Sequence, residues 1–484
     1  MQSPRRFFIR TYGCQMNVHD TQKVANLLHH HGYAAAAGLE DADLLIVNTC
    51  SIREKAEHRL YSDLGVLRDW KADRPGRAIG VAGCVAQQEG DQILRRFQQV
   101  DFVFGTHNLR LVPSMAEAAA AGQRTLRIDA NASLERFDFP DRHPAFAAGT
   151  PARAFVTIME GCDMFCSFCV VPHTRGREIS RPAAAIVAEV ESLATRGVRE
   201  ITLLGQTVNA YGRHDLRRRP GAGADTVGFA ALLRRLAAVS GIERIRYTSP
   251  HPIFFDEDLV RAHGELAELC PHVHLPVQSG SDAVLMRMRR RHGADAYRAL
   301  AERLRRARPD LAITSDLIVG FPGESDADFE ATLQLVRDVG FVDSFSFKYS
   351  PRPHTPAAQF EDAVPAPVAQ ERLEALQALQ RAQTLAYHRS RVGTRTEVLL
   401  EGASRQGAGQ QAGRDPYHRV VNLSAAAEVM PPPGALVSVC VVEATPHSLI
   451  GTLDLAKTAD SARQPLKNGA GSADERIRSV VAGG

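Results

Sequence analysis

The sequence predicts an α/β protein in three parts. These are an N-terminal doubly wound parallel α/β domain, a central partial (β/α)6 barrel and a small C-terminal antiparallel β-barrel of OB-like topology. Short apolar strands alternate with amphipathic helices through most of the 484 residues, which is the pattern of parallel sheets covered by helices. After Thr394 the pattern changes to short strands separated by Gly and Pro, which is typical of a small barrel.

The composition is that of an ordinary globular chain. Hydrophobic residues make up 44% and charged residues 23%, and 58 Lys and Arg against 55 Asp and Glu leave a formal net charge of +3. Wholesale disorder is therefore excluded, whereas the balanced charge neither requires nor excludes a nucleic-acid partner. No apolar run approaches the roughly 20 residues of a membrane span, and the start lacks the apolar region of a signal peptide. We therefore expect a cytoplasmic protein without membrane association.

The N-terminal domain, expected over residues 5–122, repeats a unit of strand, turn and helix. Its predicted strands are Phe7–Arg10, Leu44–Asn48, Ala78–Ala82 and Phe102–Phe104. Cys14, Cys50 and Cys84 each follow the carboxyl end of one of these strands. Because the ligand crevice of an open α/β sheet lies at that edge, we expect the three thiols to form one shared metal site. The alternative is that they are small buried core residues.

Residues 130–151 are rich in Pro, Ala and Asp and lack a period, so we expect a linker there. The central domain, expected over residues 148–390, contains six strands with helices between them. These strands are Ala154–Met159, Glu200–Leu204, Arg244–Thr248, His272–Pro276, Ala312–Val319 and Ser344–Tyr349. Six such units predict an open barrel, with functional residues on the loops after the strands.

The third part, expected over residues 391–456, follows a long predicted helix. Its predicted strands are Glu397–Glu401, Arg419–Leu423, Leu436–Val442 and Leu449–Leu453. Residues 457–484 are rich in Ala, Gly, Ser and Asp without a period, and we expect a disordered tail there.

A second group of cysteines, Cys162, Cys166 and Cys169, forms a C-x3-C-x2-C arrangement directly after the first barrel strand. Thiolates hold iron–sulfur clusters, usually four to a [4Fe–4S] unit, so three would leave one iron open, as a catalytic metal site does. Zinc is the alternative, with Cys166 and Cys169 as a half-site and His173 as a further ligand. The last two cysteines, Cys270 and Cys440, fit buried structural positions better.

This arrangement resembles the radical S-adenosylmethionine (SAM) superfamily, in which SAM chelates the open iron. Segments at the ends of three further strands resemble the family in the same order, namely Leu203–Gln206, Leu275–Ser281 and Ile318–Glu324. The resemblance implies a SAM-binding [4Fe–4S] cluster on Cys162, Cys166 and Cys169. It also implies a set of SAM-contacting residues, namely Phe168, Gly205, Gln206, Gln278 and Ser279.

The three-part arrangement resembles the methylthiotransferases, over about 450 residues. Three segments resemble the MiaB-type subgroup, namely Asn48–Arg59, Val170–Pro182 and Phe347–Ala358. The resemblance implies an enzyme that methylthiolates C2 of N6-dimethylallyladenosine at position 37 of tRNA. It also implies a second, auxiliary [4Fe–4S] cluster on Cys14, Cys50 and Cys84 that donates the sulfur.

The same resemblance implies partners. The C-terminal barrel looks like a TRAM domain that contributes RNA contacts, with Arg414 and Arg419 as candidate phosphate partners. A flavodoxin or ferredoxin is the expected electron donor, and we expect a monomer. Arg175 and Arg177 are candidates for a SAM carboxylate or a tRNA phosphate, with surface salt bridges as the alternative.

Two basic runs, Arg217–Arg219 and Arg287–Arg291, are either solvated or phosphate-contacting. The segment Arg213–Asp225 looks like a loop insertion.

Two other functions stay open. One is a sister methylthiotransferase that acts on threonylcarbamoyl-adenosine in tRNA or on a ribosomal-protein aspartate. The other is a non-enzymatic, zinc-dependent RNA-binding protein.

Overall fold

The computed structural model describes residues 4–51, 54–146, 152–214, 227–404, 407, 409–424 and 430–454. The expected C-terminal tail and most of the segment Arg213–Asp225 lie outside the described residues. Within the described part of the chain, no helix is long and apolar enough to span a membrane.

The N-terminal part is a six-stranded parallel sheet with the order β2-β1-β3-β4-β5-β6. Its strands are β1 Arg6–Thr11, β2 Ala34–Ala35, β3 Leu44–Thr49, β4 Ala78–Gly83, β5 Phe102–Phe104 and β6 Thr125–Arg127. Every residue of β3 and β4 is buried, because helices cover both faces of a parallel sheet. The four predicted strands are confirmed. The outer strands β2 and β6 were not predicted, since two or three residues are too few to show a period.

Five helices surround this sheet among the described residues. They are α1 Gln15–His30, α2 Glu54–Asp73, α3 Cys84–Glu89, α4 Asp91–Arg96 and α5 Val112–Ala120. The helix α1 starts directly after Cys14, and α3 starts at Cys84 itself. Two of the three predicted metal-binding thiols therefore lie at the point where a strand gives way to a helix.

The central part is an open barrel of parallel strands, as predicted. The sheet β7-β10-β11 and the sheet β12-β13-β14 meet through a bridge between Ile245 and Leu269. The strands are β7 Arg153–Thr157, β10 Glu200–Leu204, β11 Arg244–Tyr247, β12 His272–His274, β13 Ala312–Val319 and β14 Asp343–Lys348. A small hairpin of β8 Met159–Glu160 and β9 Ile179–Ser180 flanks the cysteine loop.

Two short helices, α6 Val171–Arg175 and α10 Asp282–Arg287, lie in loops that follow barrel strands. The outside of this barrel is covered by longer helices, namely α7 Ala183–Thr195, α8 Phe229–Ala237, α9 Glu257–Glu265, α11 Ala294–Ala307, α12 Asp326–Val339 and α13 Ala366–Ser390. Alternate strand residues such as Ile313, Leu317 and Val319 form the core with these helices. The residues between them therefore face the inside of the barrel, since successive side chains of a strand point to opposite faces.

The C-terminal part is a closed barrel with the order β15-β16-β17-β19-β18. Its strands are β15 Arg395–Ala403, β16 Gln410–Arg414, β17 Val420–Ser424, β18 Leu436–Ala444 and β19 Leu449–Leu453. The four predicted strands are confirmed, and β16 was missed because its sequence, QQAGR, shows no apolar alternation. Arg246 of β11 donates to the carbonyls of Asp415 and Pro416, both at 2.9 Å. The small barrel therefore packs against the central barrel on the side away from the cysteine loop.

Candidate metal-cluster site

The three N-terminal cysteines, which we call the first triad, converge as predicted. Cys14 precedes α1, Cys50 follows β3, and Cys84 opens α3 after β4. The Cys50 thiol is hydrogen-bonded to the thiols of both Cys14 and Cys84. Gly13 has a φ of +124°, and a Cβ there would lie 2.3 Å from the Cβ of Cys50. A side chain at Gly13 would therefore push Cys50 away from the neighbouring Cys14.

Two of these thiols are acidified. The hydrogen bond from Cys50 is the main cause that lowers the pKa of Cys84 to about 6 and the pKa of Cys14 to about 7. The Arg175 charge lowers both further, and the pKa of Cys50 is raised because it donates those bonds. Because the thiolate is the form that binds metal, the first triad has the donor chemistry of a cluster site.

The cysteines of the barrel loop, which we call the second triad, also lie close together. Burial raises the pKa of Cys162 and of Cys169. Cys162 Sγ lies 3.0 Å from Thr207 Oγ1, and the backbone N–H of Cys169 donates to the Cys166 carbonyl at 3.1 Å. A buried guanidinium, that of Arg290, donates through Nη1 to Cys166 Sγ at 3.6 Å.

A single short helix connects the two triads. The helix α6 is five residues long and starts two residues after Cys169, so it spans about 8 Å at 1.5 Å per residue. Its last residue is Arg175, whose positive charge is close enough to Cys84 to lower the pKa of that thiol. The Cys162 backbone N–H donates to the Gly176 carbonyl at 3.1 Å. Both triads therefore lie at one interface between the N-terminal sheet and the barrel.

Buried polar contacts fix this interface. His19 Nδ1 lies 2.8 Å from Thr157 Oγ1, and Thr106 Oγ1 donates to the Thr174 carbonyl at 2.5 Å. Glu160 is ion-paired with Arg136, and both are almost fully buried. Arg136 belongs to the segment that the sequence predicts as a linker, and its composition gave no sign of this contact. The alternative of a surface salt bridge is excluded for Arg175, because its side chain is only 3% exposed.

The expected SAM contacts lie in two loops, one after β10 and one after β12, and beside the second triad. Gly205 and Gln206 follow β10, and a Cβ at Gly205 would lie 2.6 Å from Met159 Cγ. Gln206 Oε1 accepts from the Gly161 backbone N–H at 2.5 Å, while its buried Nε2 has no hydrogen-bond partner among the described residues. An unpaired buried amide is costly, so this group fits a polar ligand beside the cysteine loop.

Two further predicted contacts lie after β12. Gln278 has a φ of +79°, an unusual conformation for a residue with a side chain. Ser279 is fully buried, and its hydroxyl lies 3.2 Å from Thr332 Oγ1 on α12. The contact with SAM that the resemblance implies for Ser279 stays a prediction. Phe168 is partly buried and packs edge-to-face against Phe321.

The inner face of the barrel carries an exposed apolar stripe, formed by Ile318, Phe345 and Phe347. Lys348 bonds to Gln370 of the outer helix α13, so Phe345 and Phe347 point inward. They are 54% and 41% exposed. Ile318 is in register with Phe347, and both Ile318 and Phe168 pack against the cluster that contains Phe321. The stripe therefore runs from the second triad along the inside of the last two strands.

The basic residues near the triads and in the small barrel differ in their surroundings. Arg419 pairs with Asp343 at 2.9 Å and Arg414 with Glu401 at 3.2 Å, so both candidate phosphate partners are already used within the molecule. Arg289 and Arg291 are exposed, and both have a positive φ. Their loop is tied to the cysteine loop, because the Ser167 backbone N–H donates to the Met288 carbonyl at 3.0 Å.

Neither triad is arranged to enclose a single metal ion. Among the residues that the structure describes, no group of three or more His, Cys, Asp or Glu side chains could hold one. The His173 ring lies beside that of His354, with centroids 6.0 Å apart. Three cysteine donors with a buried guanidinium beside each triad fit an anionic iron–sulfur cluster, which is larger than one ion and is held by cysteines.

Two family models match parts of this chain. The model of the Radical SAM superfamily matches residues 156–336, which include the second triad. The model described as Uncharacterized protein family UPF0004 matches residues 6–105, which include the first triad. A solved radical S-adenosylmethionine methyltransferase, TsrM from Kitasatospora setae, aligns with a TM-score of 0.48 at 14% identity, over 84% of this chain and 80% of that one.

Curated relatives match nearly the whole chain. A tRNA-2-methylthio-N6-dimethylallyladenosine synthase from Cereibacter sphaeroides is 48% identical over 93% of this chain and 99% of its own length. A protein of the same name from Geobacter metallireducens is 46% identical over 94% of this chain and 99% of its own. The chain therefore belongs to the family of tRNA-2-methylthio-N6-dimethylallyladenosine synthases, which are radical SAM enzymes.

Proposed function

We propose that this enzyme methylthiolates C2 of N6-dimethylallyladenosine at position 37 of tRNA, with SAM and two [4Fe–4S] clusters. The observation that supports it best is the position of two thiol triads at the two ends of α6. One centre to start radical chemistry and one to supply sulfur must lie within reach of the same base. The three domains are assigned to residues 5–122, 148–390 and 391–456.

The second triad holds the SAM-binding cluster, and the first triad holds the auxiliary cluster that supplies sulfur. C2 of adenine carries an unactivated hydrogen that no general base removes. Bound SAM and its cluster supply the radical reactivity that protein side chains lack. The chain itself contributes the thiolates, the buried charges of Arg175 and Arg290, and the water-excluding interface between the domains.

The SAM-binding surface is assigned to residues around the second triad. Phe168 and Gly205 provide apolar surface and a close backbone approach. The unpaired Nε2 of Gln206 is a donor for a polar group of SAM, because it is buried and lacks a partner. Gln278, which lies after β12 and has a strained conformation, and the neighbouring Ser279 complete the proposed SAM contacts.

The exposed stripe of Ile318, Phe345 and Phe347 is assigned to the target base and its prenyl group. Aromatic faces stack on bases, and a five-carbon prenyl group gains by leaving water. A stripe on the inside of the barrel that begins at the second triad would hold a base beside the chemistry. Folding alone does not explain two half-exposed phenylalanines in one strand.

The exposed Arg289 and Arg291 are assigned to phosphates of the anticodon loop. Two non-glycine residues in the left-handed region cost of order 1 kcal/mol each, which favours a functional reason for the loop. Buried Met288 and Arg290 anchor the loop between them. The RNA would therefore approach on the side of the cysteine loop. The proposal also includes a cytoplasmic location, where tRNA is modified, a monomeric enzyme, and a flavodoxin or ferredoxin as the electron donor.

Nucleoside analysis of tRNA tests this function. Digested tRNA from a strain that lacks the gene should lose 2-methylthio-N6-dimethylallyladenosine and keep N6-dimethylallyladenosine. Complementation with this chain should restore the methylthio nucleoside. Restoration of a methylthiolated threonylcarbamoyl-adenosine, or of a methylthiolated ribosomal-protein aspartate, would instead identify one of the sister activities.

A further inference from the structure

Arg175 is a charge enclosed between two domains. It is the last residue of α6, yet its side chain is only 3% exposed. Its Nη2 donates to Asp20 Oδ2 of α1 at 2.7 Å, and its positive charge is close enough to Cys84 to lower the pKa of that thiol. Its Nη1 has no hydrogen-bond partner among the described residues, and neither has Asp20 Oδ1. The guanidinium therefore lies at the first triad with one buried N–H group, Nη1, that has no acceptor among the described residues.

An ion pair that only joins two domains does not account for this. A buried ion pair contributes little net stability, because desolvation offsets the attraction. Other contacts already join the same surfaces, including those of His19 with Thr157 and of Thr106 with Thr174. A buried N–H without an acceptor is destabilising unless a ligand completes it. Thiolates and a cluster would bring buried negative charge to this point, which requires a positive partner.

We infer that Arg175 is a positioning residue that hydrogen-bonds the auxiliary cluster on the first triad and raises its reduction potential. This inference rests on the proposed function, since it requires a cluster on Cys14, Cys50 and Cys84. A positive charge stabilises the reduced cluster, which carries one more electron. Asp20 acts in the opposite sense: it holds the guanidinium in place, but its own negative charge opposes reduction.

Substitutions of Arg175 and of Asp20 should therefore shift the reduction potential in opposite directions. Arg175→Gln removes the positive charge and should shift the potential to more negative values. We expect at least a tenfold change in the reduction equilibrium, which is about 59 mV for one electron. Asp20→Asn removes the negative charge that opposes reduction and should shift the potential to more positive values. Arg175→Lys keeps the charge and should recover most of the wild-type potential.

The experiment uses the full-length chain with Cys162, Cys166 and Cys169 replaced by alanine, so that one cluster remains. The protein is reconstituted anaerobically with iron and sulfide, and the potential is read by a redox titration followed by visible absorbance and electron paramagnetic resonance. Arg290→Gln in the same background is the matched control. It removes an equally buried guanidinium from the emptied second triad and should leave the potential unchanged.

Each outcome decides one point. Opposite shifts for Arg175→Gln and Asp20→Asn support the inference. Shifts in the same direction, or none, overturn it and leave Arg175 as a structural link between domains. If Arg175→Gln fails to retain iron, the other two variants decide. The inference then requires a more positive potential in Asp20→Asn and a potential close to wild type in Arg175→Lys, and any other result overturns it. If the parent protein binds no cluster at the first triad, the proposed function fails instead.

Discussion

Arg419 donates through Nη1 to the Asp343 carboxylate at 2.9 Å, and this contact joins the C-terminal barrel to the first residue of β14. Arg246 makes a similar link from β11, through carbonyls of residues 415 and 416. The small barrel thus covers the amino-terminal ends of the central strands. Deleting it would uncover these buried charges, so point substitutions separate its structural role from RNA binding better than truncation.

Arg246→Ala should destabilise the protein. The Arg246 side chain is 5% exposed and pairs at 3.1 Å with Glu200, which is 1% exposed. Without Arg246, the buried Glu200 keeps only the longer ion pairs with Arg153 and Arg244, at 3.9 and 3.8 Å, and we expect a loss of about 3 kcal/mol in the free energy of unfolding. Chemical denaturation measures it. Arg261→Ala is the control, because that side chain is 61% exposed and should change stability by less than about 1 kcal/mol. Equal effects of the two substitutions would contradict the buried link.

Alanine at Cys162, Cys166 and Cys169 should remove half of the iron and all SAM cleavage. The reconstituted wild type should bind about eight irons, four to each cluster. Iron analysis and detection of 5′-deoxyadenosine measure both effects. Cys270→Ala is the matched control, since Cys270 is buried away from either triad and should keep full iron. Continued 5′-deoxyadenosine formation by the triple variant would exclude the second triad as the SAM-binding site.

Alanine at Cys14, Cys50 and Cys84 should have an asymmetric effect. The barrel and the second triad come from a different part of the chain, so SAM cleavage should persist, while no methylthiolated tRNA forms. The variant should bind about four irons. Parallel assays for 5′-deoxyadenosine and for the methylthio nucleoside test this. Cys440→Ala, in the C-terminal barrel, should leave both products unchanged. Methylthiolation by the triple variant would return the first triad to a structural role.

Alanine at both Phe345 and Phe347 should weaken the preference for prenylated RNA. Both side chains are already half-exposed, so the cost to folding should stay below about 1 kcal/mol. The loss of apolar contact should reduce the ratio of affinities for prenylated over unprenylated anticodon stem-loops by at least about tenfold. Binding titrations with both RNAs measure the ratio. Val442→Ala, at an exposed apolar position of the small barrel, should not change it. An unchanged ratio in the double variant would refute the assignment of the stripe.

Alanine at Arg289 and Arg291 should lower the salt dependence of RNA binding. Each lost phosphate contact reduces the slope of log affinity against log salt by about 0.7 for a single strand. Titrations at several salt concentrations give the slope. Arg261→Ala removes one positive charge from the outer helix α9 and should leave the slope unchanged. If the double variant and the control have the same slope, the loop does not contact the RNA backbone.

Much of the site was predictable because parallel strands end at one edge of a sheet. Cys14, Cys50 and Cys84 follow three successive strands, and that position alone predicted their convergence, which the structure confirms. The surroundings of Ser279 were not predictable, and its contact with SAM stays a prediction. A motif places a residue after a strand but does not say what its side chain packs against, and here the hydroxyl lies against Thr332 of α12.

The sequence by itself determined the order of the strands and helices, the two cysteine triads and the family resemblance, because these depend on local periodicity and spacing. Only the tertiary structure decided the roles of the arginines. Asp20 and Arg175 are 155 residues apart in the chain, and Arg175 becomes buried only when the N-terminal sheet packs against α6. Arg419 is likewise engaged by Asp343 of a different domain. A local pattern reports the charge of a side chain, whereas domain packing decides whether that charge meets a thiol, a carboxylate or the solvent.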